Sequence, residues 1–203
     1  MQRVGWVVMV VLSSLVAAYV AILLLMPQLG PPFLNEMRSS RPLAMYAHFA
    51  GGMWALAVGP WQFHQRLRDR ALSWHRWLGR SYVLAVGLGG LGALSLAPFA
   101  QTGVVASIGF GALGGLWLWF TAAAFRQIRR GNREAHRQWM VRSFALTLAA
   151  VTLRVYLPFS FAAQVPFEAA YPTIAWLCWV PNLIVAEWYL KRRRGLPSAQ
   201  TST

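Results

Sequence analysis

Long apolar runs alternate with short basic stretches along the whole chain, at residues 4–26, 43–64, 81–99, 103–125, 143–163 and 171–190. The hydrocarbon core of a bilayer is about 30 Å thick and a helix rises about 1.5 Å per residue, so about 20 apolar residues suffice to cross it. The pattern predicts an all-α polytopic bundle of six transmembrane helices, one per run. The first run is about twice as long as the apolar region of a signal peptide and ends without a small-residue cleavage site, so it predicts a retained helix. Pro27, Pro31 and Pro32 predict the end of helix one, Pro98 the end of helix three, and Pro166 and Pro172 bracket the last outer loop, because proline cannot continue a helix ladder.

Composition supports the same class. Of 203 residues, 57% are hydrophobic and 12% charged, outside the range of soluble domains. A formal charge of +14 could suit nucleic acid, but the basic residues cluster between apolar runs instead of forming one face, which favours the lipid bilayer as partner and excludes nucleic acid. Loops on the cytoplasmic side hold an excess of Lys and Arg. Arg66, Arg68, Arg70, Arg76 and Arg80 lie between helices two and three; Arg126, Arg129, Arg130, Arg133, Arg137 and Arg142 lie between four and five; Lys191 to Arg194 follow six and Arg3 precedes one. An N-in, C-in topology gathers all of these inside and leaves only Arg38 and Arg41 facing out, with Arg154 within helix five. The expected organisation is one six-helix domain over residues 1–195 and a flexible C-terminal tail over 196–203, set in a cytoplasmic (inner) membrane with both termini cytoplasmic. A single cysteine, Cys178, excludes an internal disulfide and any CxxC motif.

Small residues recur every fourth position: Ala47, Gly51, Ala55 and Gly59 on helix two, Ser81, Ala85, Gly89, Ala93 and Ala97 on three, Gly103, Ser107, Gly111 and Gly115 on four. Such stripes predict close backbone packing of these helices in lipid. The stretch SWHRWLGRSY (73–82) is echoed by AHRQWMVRSF (135–144), and aligning His75 with His136 also sets Phe49 on Phe110. Helices two and three and helices four and five therefore read as two copies of one hairpin, the alternative being chance likeness between basic membrane edges.

Polar groups inside a span are costly and mark candidate chemistry. Arg154 cannot escape the cost by losing its proton. It is either a staple to helix six, through the Leu177 carbonyl freed by Pro181 and through Asn182, or a ligand for an anionic group. His48 precedes Gly51 and Gly52, whose missing side chains leave room for a flat ligand; it is either a cofactor ligand or a donor to a backbone carbonyl. His64, His75 and His136 sit at helix ends on the basic edge, where anchoring among headgroups competes with metal or haem ligation, and no metal site is expected among the surrounding arginines. Walker A, GxSxG and HExxH motifs are absent.

The segments HFAGGMWALAVGPWQF, HRWLGRSY, AHRQWMVRS followed by Arg154, and PNLIVAE resemble a family of predicted bacterial membrane proteins, domain of unknown function 2306, over residues 43–190. The resemblance implies that His48, Gln62, His75, His136, Arg142 and Arg154 matter to that family and a bacterial membrane location, without implying a reaction. Three functions stay open. One is a membrane redox protein binding haem b or a quinone through His48, Gly51, Gly52, Arg154 and Asn182, with His75 and His136 as weaker candidates. Another is a transporter or lipid-handling protein for an anionic molecule. The third is a scaffold acting through a membrane-protein partner or as a homo-oligomer.

Overall fold

The computed structural model describes residues 3–194, without the side chains of Arg3, Arg66, Arg68 and Arg194; the tail expected over 196–203 lies outside the described residues. Every regular element among the described residues is helical. Five helical stretches are long and apolar enough to cross a membrane: Val4–Leu25, Leu72–Phe99, Val104–Arg129, Arg133–Ala162 and Phe167–Arg193.

Helix α1 (Arg3–Leu25) realises the first apolar run and stops before Pro27. Pro31 and Pro32 do more than end it. With Pro32 in the first helical position, where a missing N–H costs nothing, they open a short helix α2 (Pro32–Ser40). Helix α3 (Pro42–Val58) covers only part of the second run, because Gly59 and Pro60 turn the chain into a 3-10 segment (Pro60–Phe63). It is followed by α4 (Gln65–Arg70), whose first turn is capped by His64: its Nδ1 accepts from the Leu67 N–H at 3.3 Å.

Helix α5 (Leu72–Leu96) starts well before its apolar run, and so does α7 (Arg133–Thr147), whose cap Asn132 accepts from the Ala135 N–H at 3.0 Å. Arginine is a good helix former, so the basic segments simply extend the helices. Between them runs α6 (Val104–Arg129). The fifth run is interrupted at Leu148, beyond which α8 (Ala149–Ala162) continues; the sixth is interrupted at Cys178 and Trp179, between α9 (Phe167–Leu177) and α10 (Val180–Arg194). Three residues at the first interruption, Ser143, Thr147 and Thr152, turn their hydroxyls inward; Thr147 and Thr152 bond carbonyls four residues back, a habit that bends helices.

Helices α3 and α5 lie antiparallel at backbone contact. A methyl group added to Gly51 would sit 2.5 Å from the Ala85 carbonyl oxygen and 2.6 Å from Gly89 N; one added to Gly92 would sit 2.6 Å from the Ala44 carbonyl oxygen. The stripes expected on helices two and three therefore meet each other. The stripe expected on helix four does not behave this way. A methyl group at Gly115 would meet nothing within 4 Å and one at Gly111 only Ala97 at 3.7 Å, whereas Gly109, outside the stripe, faces Ala175 and Trp176 of α9.

One end of the bundle is basic. Trp6 of α1 donates through Nε1 to the Pro60 carbonyl at 3.0 Å and packs on Trp61 and His64. Arg142 of α7 forms a two-pronged ion pair with Glu187 of α10, Nη2 to Oε2 at 2.9 Å. The starts of α1, α5 and α7 and the ends of α6 and α10 thus share this end. At the opposite end Arg41 stacks on the Phe99 ring, 3.2 Å from its centroid, and Arg38 donates to Asn35.

Candidate functional site

The echoed segments hold equivalent places, His75 and His136 each being the fourth residue of its helix. His136 is bonded through Nδ1 to the Ala124 carbonyl at 2.9 Å, tying α7 to α6, and His64 serves as the α4 cap. Neither lines the cavity described next, and neither does His75. Among the described residues no group of three His, Cys, Asp or Glu side chains is placed to hold a metal ion.

A cavity of about 270 Å³ lies in the half of the bundle away from the basic end, lined by α1, α2, α3, α5, α6, α7, α8 and α9. Its wall contains His48, Gly52, Trp117, Thr147, Arg154 and Tyr171 among mostly apolar neighbours, and α2 contributes Phe33 and Met37. Two residues separated by more than a hundred positions in sequence, His48 and Arg154, therefore face one space.

His48 is oriented by its Nδ1, 3.0 Å from the Gly89 carbonyl oxygen. A carbonyl only accepts, so Nδ1 carries the proton and the neutral ring keeps its lone pair on Nε2. The donor-to-carbonyl role and the ligand role considered for His48 are thus compatible: the bond that satisfies Nδ1 fixes the tautomer that leaves Nε2 able to accept.

Gly51 and Gly52 part company. Gly51 is pressed on α5, whereas a side chain at Gly52 would meet nothing within 4 Å and the residue borders the cavity. Only Gly52 makes room beside the imidazole. Asn182 also lies elsewhere. Its amide donates to Thr152 Oγ1 at 2.9 Å, to the Cys178 carbonyl at 3.0 Å and to the Ala145 carbonyl at 3.3 Å, so it ties α10 to both halves of the interrupted α7–α8 helix. The expected staple from Arg154 to Asn182 is replaced by this one.

Arg154 itself donates through Nη1 to Ala150 in its own helix at 2.9 Å, and its guanidinium carbon lies 5.3 Å from the Tyr19 ring centroid on α1. Its Nε is buried and has no hydrogen-bond partner among the described residues. Among the described residues no carboxylate lines the cavity. A cation facing an apolar space without a counter-ion is costly, and an acceptor presented by a ligand would lower that cost.

Sequence reasoning missed the polar floor of the cavity. Tyr82 on α5, fully buried, has its hydroxyl 2.8 Å from both Ser143 and Thr147 on α7. Thr121 on α6 lies 2.7 Å from the Ser143 hydroxyl, and Trp117 Nε1 donates to Thr147 at 2.9 Å. Isolated hydroxyls in apolar runs carried no signal by themselves. The only hint was that Thr121, Ser143 and Thr147 fall inside or beside predicted spans.

Comparison with known families gives one match: the family described as "Predicted membrane protein (DUF2306)" matches residues 45–190. Neither a curated protein nor a solved structure matches the chain.

Proposed function

This chain belongs to the DUF2306 family of predicted membrane proteins, and from that premise we propose that it binds a quinone-like ring molecule inside the bundle, between His48 and Arg154. The observation that carries the reading is the shared cavity: apolar walls that suit a ring, an Arg154 Nε without a hydrogen-bond partner among the described residues, and a His48 ring held in the tautomer that can accept. A carbonyl or hydroxyl on the ring would engage both. The volume of about 270 Å³ and the single lining imidazole suit one ring system better than the four-pyrrole ring of haem.

The proposed setting is a bacterial cytoplasmic membrane, crossed six times with both termini on the basic, cytoplasmic side. The sixth crossing is α3 with its 3-10 extension, Pro42 to Phe63, which runs antiparallel to α5 from Gly92 toward Pro60. The contacts of Trp6 with Pro60 and of Arg142 with Glu187 support an even number of crossings.

The test is titration of purified protein with a short-chain naphthoquinone, read by quenching of tryptophan fluorescence, since Trp117 borders the cavity. Saturable quenching, weakened at least tenfold by Gly52→Val or Arg154→Leu in protein of unchanged helix content, is the expected result. Non-saturable quenching, with no organic cofactor extractable from the native protein, would refute the reading. A second reading, an anionic cargo, is favoured by the lack of a carboxylate among the described residues that line the cavity with Arg154. Competition of a fatty-acid-like anion with the quinone would support it, and quinone binding indifferent to that anion would remove it.

A further inference from the structure

Polar groups recur along one face of α5 between the basic end and the floor of the cavity. His75, Gly79 and Tyr82 are spaced i, i+4, i+7 along α5 and so share one face. Over seven residues that face climbs about 10 Å. Gly79 leaves a notch in it: a methyl group there would lie 3.2 Å from Gln62 Oε1. The Gln62 amide fills the notch, and its Nε2 is buried without a hydrogen-bond partner among the described residues. A buried amide donor of this kind calls for a partner such as water.

Tyr82, three residues beyond Gly79 on α5, belongs to a hydroxyl chain whose bonds can be ordered in two ways. In one, Thr121 donates to Ser143, Ser143 to Tyr82, Tyr82 to Thr147, and Thr147 to the Ser143 carbonyl at 3.2 Å. In the other, Thr147 donates to Tyr82, Tyr82 to Ser143, Ser143 to Thr121, and Thr121 to the Trp117 carbonyl at 2.8 Å. Each order ends on a carbonyl, so both are fully satisfied and the chain can reverse without stranding a proton.

We propose that His75, Gln62 in the Gly79 notch, and the hydroxyls of Tyr82 and Thr147 form a proton track from the basic end of the bundle to the cavity. A proton released by the His75 imidazolium passes by water along Gln62 to the Tyr82 oxygen. Tyr82 gives its own proton to Thr147, and Thr147 gives its proton to an acceptor on the molecule in the cavity. At each oxygen one O–H bond forms as one breaks, and no electrons change hands. Ser143 and Thr121 hold the chain in register. The use of the track rests on the proposed ligand site; its existence does not.

The Trp117 indole N–H, bonded to Thr147 where the track meets the cavity, gives a readout that needs no ligand. In protein carrying 15N-tryptophan, its exchange with deuterated water is expected to slow at least tenfold in Gln62→Leu and in Tyr82→Phe. Gln62→Glu, which restores a proton-bearing group, should keep the native rate or exceed it. Exchange of the Trp176 indole, bonded to the Val105 carbonyl at the far end of the bundle from Gln62, should not change. Unchanged Trp117 exchange in both blocking variants, or equal slowing by Gln62→Leu and Gln62→Glu, would overturn the proposal. Failure of naphthoquinone binding would count against the ligand site alone and leave the exchange result standing.

Discussion

Arg154 is where the energetic argument is sharpest. A staple loses stability when its charge is removed, whereas a cation waiting for a ligand gains it, since the empty protein no longer pays to bury an uncompensated guanidinium. Arg154→Leu is therefore expected to raise the stability of ligand-free protein by roughly 1–3 kcal/mol, seen as a higher thermal midpoint in detergent. A lowered midpoint would return Arg154 to a structural role. This residue was legible in the sequence because a lone arginine in an apolar run stands out. Its surroundings were not. Asn182 looked like its partner from estimated depth alone, but the interruption at Leu148 brings Thr152 and the Ala145 carbonyl to Asn182 first. Tyr82, Ser143 and Thr147 were illegible for a related reason: their bonds join positions 61 and 65 residues apart, which no local pattern encodes.

At the scale of elements, the α3–α5 pair depends on glycine where backbones touch. Gly51→Ala should cost about 1–3 kcal/mol, because the new methyl group meets the backbone of Ala85 and Gly89, which cannot step aside as a side chain can. Gly87→Ala on the same helix α5, where a methyl group meets nothing within 4 Å, should be neutral or slightly stabilising. Parallel thermal unfolding of the two variants checks the pair. The apolar runs marked the helices well, yet missed their true starts in α5 and α7, because a hydropathy pattern ends at the first arginine while the helical backbone does not. Proline does more than stop a helix: in α2 it serves as a start, since Pro32 occupies the position where its missing N–H is no loss.

For the whole molecule, the arrangement of charged ends yields a topological expectation. Cysteines introduced singly at Gly131, in the turn between α6 and α7, and at Thr102, in the turn before α6, should be labelled from opposite faces of sealed vesicles by an impermeant maleimide, in a Cys178→Ala background. One at Gln65, beside the α4 cap, should follow Gly131. Labelling of Gln65 and Gly131 from opposite faces would leave α3 uncrossed and reduce the count to five.

The Cys178→Ala background points to a further use of the native residue. The protein's one thiol is completely buried at the interruption between α9 and α10, and it borders the cavity. No reagent can reach it unless the walls part, so its rate of modification by a small membrane-permeant thiol reagent is a clock for the opening of the bundle. A molecule that occupies the space should slow that clock in proportion to its occupancy. The chain thus carries, at the place where a ligand would lodge, its own chemical meter for screening candidates one by one. A candidate that leaves the rate of thiol loss unchanged at saturating concentration does not enter.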